Sequence, residues 1–181
     1  NKQALIASLD SFAGLRKSPA ESPFKDSTAF TINGKFSENG SFDATVSVTA
    51  QGDTDVPLRA AFREVPQANW QRLVEIYSLR WGLQGDISDI QVDPLDDTSK
   101  PFRLSYHFHR ENFFVVPTSG ANFRILPPIV LPALSKANPR KGSEPLDVGP
   151  ATEQTYRAHV EIPANFSLAT PSAVRMTRDY G

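Results

Sequence analysis

The chain contains no cysteine, and this absence removes several classes of chemistry at once. Disulfide frameworks, thiolate metal sites and cysteine nucleophiles all require that residue. Histidine is also scarce, with three in 181 residues, so few imidazoles are available for metal binding or proton transfer. The missing cysteine does not decide the compartment, because a cysteine-free chain is stable in either redox setting.

The chain also lacks an excess of charge and a long apolar run. Its formal net charge is -1 and its pI is near 6.3. Nucleic-acid binding relies on clustered lysine and arginine, so we expect no nucleic-acid partner. No stretch approaches the roughly 18 apolar residues of a membrane span, so we expect no membrane insertion. Hydrophobic residues at 39% and charged residues at 22% are typical of a globular domain.

Familiar catalytic motifs are missing as well. The sequence has neither a Gly-x-Ser-x-Gly elbow nor a Gly-x-x-x-x-Gly-Lys phosphate loop. We therefore assign no catalytic residue, no metal ligand and no cofactor, and we expect that the chain is not an enzyme by itself.

The clearest positive signal is a β-hairpin near residue 40. Apolar and polar residues alternate over residues 29–36 and again over residues 42–50, which predicts two strands with one buried face each. Asn39 and Gly40 lie between them, and this dipeptide takes a positive φ at low cost.

An amphipathic helix is predicted after the hairpin. Pro66 suits its first turn and Gly82 its exit. Its apolar stripe recurs at helical spacing and contains both tryptophans of the chain: Trp70, Leu73, Val74, Tyr77 and Trp81. A shorter helix is expected just before it, capped by Asp53 or Asp55, with Leu58 and Phe62 inside and Arg59 and Arg63 outside.

Further strands are predicted at residues 87–92, 102–108 and 155–162, with a candidate at 122–126 and an edge segment at 129–131. Residues 4–7 and 15–17 form either a helical turn or a loose pair of strands. The predicted fold class is a β-dominated α+β domain. We expect an antiparallel sheet or sandwich of about six to eight strands, with one or two helices inserted after the first hairpin.

Two clusters of polar residues have both a functional and a structural interpretation. His107 and His109 share a strand face, with Glu111 following and His159 elsewhere, so three histidines could converge on a metal. Solvent-facing residues of a half-exposed strand explain the pair more simply. Five aspartates could bind calcium or form a carboxylate pair, but turn hydrogen bonds account for them more simply; they are Asp86, Asp89, Asp93, Asp96 and Asp97.

Arg59, Arg63 and Lys100 form a basic group with two interpretations. The three side chains could bind an anion. Pairing with aspartates of the same domain is the favoured interpretation.

A family resemblance rests on scattered positions over about residues 2–175. The residues that carry it are Gly52-Asp53, Leu58-Arg59-Ala60-Ala61-Phe62-Arg63, Pro66 and Trp70, then Gly85-Asp86-Ile87-Ser88-Asp89, Asp97-Thr98-Ser99-Lys100-Pro101-Phe102 and Tyr106. Lys2-Gln3-Ala4-Leu5-Ile6, Leu15-Arg16-Lys17-Ser18-Pro19, Val148-Gly149, Thr155-Tyr156 and Ile162-Pro163 add to it. The pattern resembles the region C-terminal to the core in large bacterial proteins built around a transglutaminase-like, papain-like domain.

The resemblance implies a domain plan and a role. Residues 1–27 are expected to be a segment leaving an upstream core plus a linker, and residues 28–181 a single β-rich accessory domain. Because the chain lacks an initiator methionine, we expect a piece of a longer protein, and whether the domain continues past Gly181 stays open. By resemblance alone, the location is extracytoplasmic, periplasmic or secreted.

The function implied is a non-catalytic accessory domain of unassigned role. It would pack on or orient the transglutaminase-like core of the same polypeptide, or recruit the protein substrate of that core. The predicted interaction surface consists of exposed apolar and aromatic residues: Trp81, Phe113, Phe114, Ile129 and Leu131. The alternative is an extracytoplasmic carbohydrate- or peptide-binding module that uses aromatic rings such as Trp81, Tyr106 and Phe114. A third hypothesis is an independent hydrolase built on His107, His109 and the acidic turn.

Overall fold

A computed structural model of the chain describes residues 3–7, 12–17, 26–113 and 152–166. The first two ranges form an antiparallel hairpin of strands β1 (Gln3–Ala7) and β2 (Phe12–Lys17). The strand-pair interpretation of this segment is therefore confirmed over the helical one. β3 begins at Asp26, two residues before the predicted domain boundary, and the boundary itself stays a prediction.

Five strands form the main sheet, and their order in space is β5-β6-β4-β3-β7. The strands are β3 (Asp26–Phe36), β4 (Phe42–Gln51), β5 (Asp86–Val92), β6 (Phe102–Arg110) and β7 (Thr152–Glu161). The predicted β-dominated α+β class is confirmed. Period-2 alternation is clearest in β3, β4 and β6, because each of these strands buries one face only.

Two helices, α1 (Asp55–Glu64) and α2 (Trp70–Arg80), lie between β4 and β5, as the sequence predicts. A short 3-10 turn precedes each helix. Both helices cover the same face of the main sheet. The core between the helices and the sheet is made of aromatic and aliphatic side chains. Its most buried members include Ile32, Phe42, Val46, Phe62, Val74, Phe102, Leu104, Tyr106 and Phe108.

β7 departs from the expected antiparallel arrangement, because it runs parallel to β3. The other three strand pairs of the main sheet are antiparallel. A parallel neighbour requires a crossover connection, so its direction depends on the path of the chain between β6 and β7. Strand periodicity carries no information on that path.

The turns follow the local chemistry of their residues. Gly40 has φ 86° in the β3–β4 turn, and the Asn39 side chain accepts hydrogen bonds from the backbone and hydroxyl of Ser41. Gly82 has φ 85° immediately after α2. Both glycines therefore occupy the left-handed region that the sequence assigned to them.

A bulge in β5 explains an irregular apolar spacing. Ile87 and Ile90 are three residues apart, which is out of phase for a regular strand. Asp89 has φ 50°, and the pairing register with β6 shifts between Ser88 and Gln91. The extra residue lets Ile87 and Ile90 both pack against the core cluster.

The predicted environment of α1 is wrong in two respects. Neither Asp53 nor Asp55 caps the helix; instead Asp26 accepts hydrogen bonds from the backbone and hydroxyl of Thr54, both at 3.3 Å. Arg59, expected outside, is only 4% exposed. Its burial depends on a loop 35 residues away in sequence, which helical periodicity cannot detect.

Neither α1 nor α2, the helices of the described part of the chain, is long and apolar enough to span a membrane.

Candidate functional site

In the described part of the chain, the face of the main sheet opposite the helices carries mostly polar side chains. Strand pairing aligns its residues in rows that run across the sheet. The central rows consist largely of hydroxyl and amide side chains: Thr31, Asn33, Thr45, Ser47, Thr49, Ser88 and Ser105. All of them are exposed or half-exposed, so they can exchange hydrogen bonds with water or with a partner. We call this surface the open sheet face.

One end of the open sheet face carries a row of alternating charge. Asp86, His109, Asp43, Lys35 and Glu161 lie directly opposite one another on the five successive strands. The Lys35 ammonium lies 3.9 Å from the Glu161 carboxylate. Cross-strand neighbours of opposite charge stabilise a sheet modestly, and they also set the electrostatic character of this end.

The Asp43 carboxylate lies between two imidazoles of β6. Its Oδ1 atom is 2.8 Å from His109 Nδ1 and 3.5 Å from His107 Nε2. Glu111 Oε1 lies 3.3 Å from the other ring nitrogen of His109. The hydrogen bond to Asp43 raises the pKa of His109 above its ordinary value of 6.5, because the carboxylate stabilises the imidazolium form.

His159 lies apart from this cluster. It occupies the same row as His107, but Asn33 and Thr45 stand between them on β3 and β4. Three strand spacings of about 4.8 Å separate the two imidazoles by roughly 14 Å. The fold therefore does not bring the three histidines together. No group of three or more metal-ligating side chains is found in the described residues.

The acidic turn between β5 and β6 is organised by its own hydrogen bonds, as the structural interpretation predicts. Asp97 accepts from the hydroxyl and backbone of Ser99 and pairs with Lys100 at 2.9 Å. These contacts lower the pKa of Asp97 to about 2 and raise that of Lys100. Asp96 forms an ion pair with Arg63 at 3.2 Å, and Asp89 lies in the bulge of β5.

The basic residues Arg59, Arg63 and Lys100 are all paired within the domain, so the ion-pair interpretation of this group is confirmed. Arg59 binds Asp55 and donates to the carbonyls of Pro94, Leu95 and Lys100. The three side chains line one part of a groove of about 390 Å³ beside α1. Val56 and Ala60 supply apolar wall to the same groove, and Val56 is 67% exposed.

Of the five residues of the predicted interaction surface, Trp81 and Phe113 belong to the described part of the chain. Trp81 is half-buried, 5.4 Å from the Phe30 ring and 5.7 Å from Tyr77 between centroids. Phe113 is also half-buried, and its ring lies 5.1 Å from that of Phe42. Phe114, Ile129 and Leu131 lie outside the described residues, so their role stays a prediction. Tyr106, named for the alternative function, is 1% exposed and cannot stack on a ligand.

Two features of the helices were not predicted. The Tyr106 hydroxyl donates to Ser78 Oγ at 3.1 Å, and Ser78 donates to the Leu83 carbonyl at 3.0 Å, which joins β6 to the exit of α2. Ile76 and Leu79 are 40% and 60% exposed on the outer side of α2. A helical projection reveals the second feature, because Leu79 lies opposite the apolar stripe and Ile76 lies outside it.

Comparison with known proteins finds no matching family model, no matching curated protein and no matching solved structure. The resemblance to transglutaminase-like proteins therefore stays a prediction.

Proposed function

We propose that this chain is a non-catalytic accessory domain of an exported bacterial protein with a transglutaminase-like core. In this role it packs on or orients that core, or recruits the protein substrate of the core. The observation that supports an interaction role is the division of the main sheet into one face covered by helices and one open sheet face.

The chemistry of the open sheet face suits a protein partner. Hydroxyl and amide groups of its central rows can both donate and accept hydrogen bonds. Charged side chains also lie on this face: Asp43 and Glu161 alternate with His109 and Lys35 at one end, Arg157 lies in a central row beside Thr31, and Arg103 lies in the next row beside Thr49. These charges orient a partner that carries the complementary charges.

The test uses the transglutaminase-like core and this chain produced as separate proteins. We expect binding by titration calorimetry, and we expect Thr45→Lys at the centre of the open sheet face to weaken it at least about tenfold by leaving a desolvated charge. Gln71→Lys, on the exposed side of α2, is the matched control and should bind like the wild type. A parent polypeptide without such a core, or equal binding by both variants, would overturn the proposal.

A carbohydrate- or peptide-binding module is the second candidate, favoured by the groove beside α1. Its exposed Val56 and the adjacent Ala60 offer apolar contact, and polar groups line the remainder. Ala60→Trp should fill the groove and abolish retention on a glycan or peptide array, whereas Thr45→Lys should not change it. Retention of the same ligands by the Ala60→Trp variant would refute this assignment.

A further inference from the structure

The outer side of α2 combines exposed apolar groups with flanking charge in an order that matches a two-helix interface. Ile76 and Leu79 are 40% and 60% exposed, although the core-facing side of the same helix is packed. Exposed aliphatic groups on adjacent positions of one helix face favour contact with another apolar surface. Glu75 precedes this pair and Arg80 follows it.

We propose that this stripe is a self-association site that binds a second copy of the chain, with the two α2 helices parallel about a two-fold axis. Ile76 takes the a position of a heptad and Leu79 the d position, and this combination favours a parallel coiled coil of two helices. Each residue then packs on its own counterpart in the other copy, as a two-fold interface requires.

Charge complementarity identifies the occupant as a second copy. In the parallel register Glu75 falls at g and Arg80 at e, and the g residue of one helix faces the e residue five positions later in its partner. The symmetric pairing therefore forms two Glu–Arg contacts, one on each side of the apolar pair. In the single chain Arg80 makes no ion pair with the described residues; its guanidinium lies over the Tyr77 ring at 5.9 Å.

Arg72 opposes the association. It occupies the d position one turn before Ile76, so the two copies would bring two arginines together at the start of the stripe. In the single chain its guanidinium lies 3.2 Å from Glu75, and it must share that carboxylate in the dimer. α2 has 11 residues and spans about 16 Å, which limits the buried area. We therefore expect a weak dimer, with a dissociation constant on the order of 100 µM.

Sedimentation equilibrium of the 181-residue chain, at concentrations from about 10 µM to about 1 mM, tests the proposal. The wild type should dimerise reversibly. Arg72→Leu should dimerise roughly tenfold more tightly, because it removes the repulsion and extends the apolar stripe by one turn. Gln71→Glu changes charge on the same helix outside the stripe and should leave the equilibrium unchanged.

A charge-reversal pair tests the register independently. Glu75→Arg and Arg80→Glu should each weaken self-association about threefold to tenfold, because each creates two like-charge contacts per dimer. Mixing the two variants in equal amounts should restore wild-type association, since both contacts are again between opposite charges. Restoration also demonstrates that both variants are folded.

Two results would overturn the proposal. One is a wild-type chain that remains monomeric at the highest concentration, which would assign the stripe to a different partner. The other is a dimer that does not respond to either charge reversal or to their mixing, which would place the interface elsewhere.

Discussion

Replacing Arg59 by alanine should destabilise the fold much more than the same change at Arg63, the other arginine of α1. The guanidinium is buried and joins α1 to the loop between β5 and β6. It binds the Asp55 carboxylate one turn earlier, and it donates to the carbonyls of Pro94 at 3.2 Å and Lys100 at 2.6 Å. It also lies over the Phe102 ring at 5.9 Å.

The size of the effect follows from these partners. Removing one member of a buried ion pair typically costs about 3–5 kcal/mol, because the other charge is left without a partner. The Asp55 side chain is 14% exposed and the loop lies at the surface, so water can compensate part of the loss. We therefore expect the free energy of unfolding to fall by about 3 kcal/mol, equivalent to a Tm decrease of about 6 to 12 °C for a chain of this size.

Urea denaturation followed by circular dichroism and tryptophan fluorescence measures this change. Arg63→Ala is the matched control, because Arg63 lies one turn further along α1 and contacts the same loop at Leu95 and Asp96. Its side chain is 45% exposed, so we expect a loss of about 1 kcal/mol or less. Replacing both Asp55 and Arg59 by apolar residues should cost less than Arg59→Ala alone, since no buried charge remains.

Arg59→Ala and Arg63→Ala should not lower the free energy of unfolding equally. Equal losses would mean that the guanidinium of Arg59 is hydrated in solution and does not hold the loop.

Four further predictions concern single residues and their contacts. Ser78→Ala should lower the free energy of unfolding by about 1–2 kcal/mol, because the Tyr106 hydroxyl and the Leu83 carbonyl lose their shared partner. Burial raises the pKa of Tyr106 to about 12. The stability that the neutral hydroxyl contributes is therefore complete below pH 10, the ordinary pKa of tyrosine, and is lost as the pH rises toward 12. Absorbance at alkaline pH measures the ionisation of Tyr106, and ionisation near pH 10 in the folded protein would contradict this prediction. Gly85→Ala should lower the free energy of unfolding by roughly 3 kcal/mol or more, since the new Cβ would lie 2.4 Å from the His109 carbonyl oxygen. Gly82→Ala should cost only about 1–2 kcal/mol, because the new Cβ has open space and the cost is that of a positive φ. Equal losses for the two variants in thermal unfolding would refute this prediction. The stability gained from protonated His109 is complete below pH 6.5 and is lost as the pH rises through the raised pKa of this residue. Asp43→Asn should lower that pKa, which an NMR titration of the imidazole ring protons measures. An unchanged pKa would show that the contact between Asp43 and His109 is absent in solution.

The hairpin and α2 illustrate what local sequence can determine. Alternating residues on β3 and β4 identify a strand pair because side chains of a strand alternate between faces, and Gly40 supplies the positive φ that the turn needs. The stripe of α2 is equally local, because residues three and four apart share a helix face. These signals depend on near neighbours only, so they are legible without knowing the path of the chain.

The Asp43 and Arg59 contacts illustrate what local sequence cannot determine. Asp43 meets His109, 66 residues away, because β4 and β6 are neighbours in the sheet. Strand order therefore decides which polar residues form a cluster, and it also places His159 outside that cluster.

By itself, the sequence determined the β3–β4 hairpin with its turn, the strand β6 and the apolar stripe of α2, all of which follow from short-range periodicity and backbone preference. Only the tertiary structure decided that β7 lies parallel to β3, that Arg59 is buried, and that Asp43 meets His109. Each of these depends on which distant segments pack together. The free energy of that packing comes from contacts between residues far apart in the chain, and no local pattern specifies them.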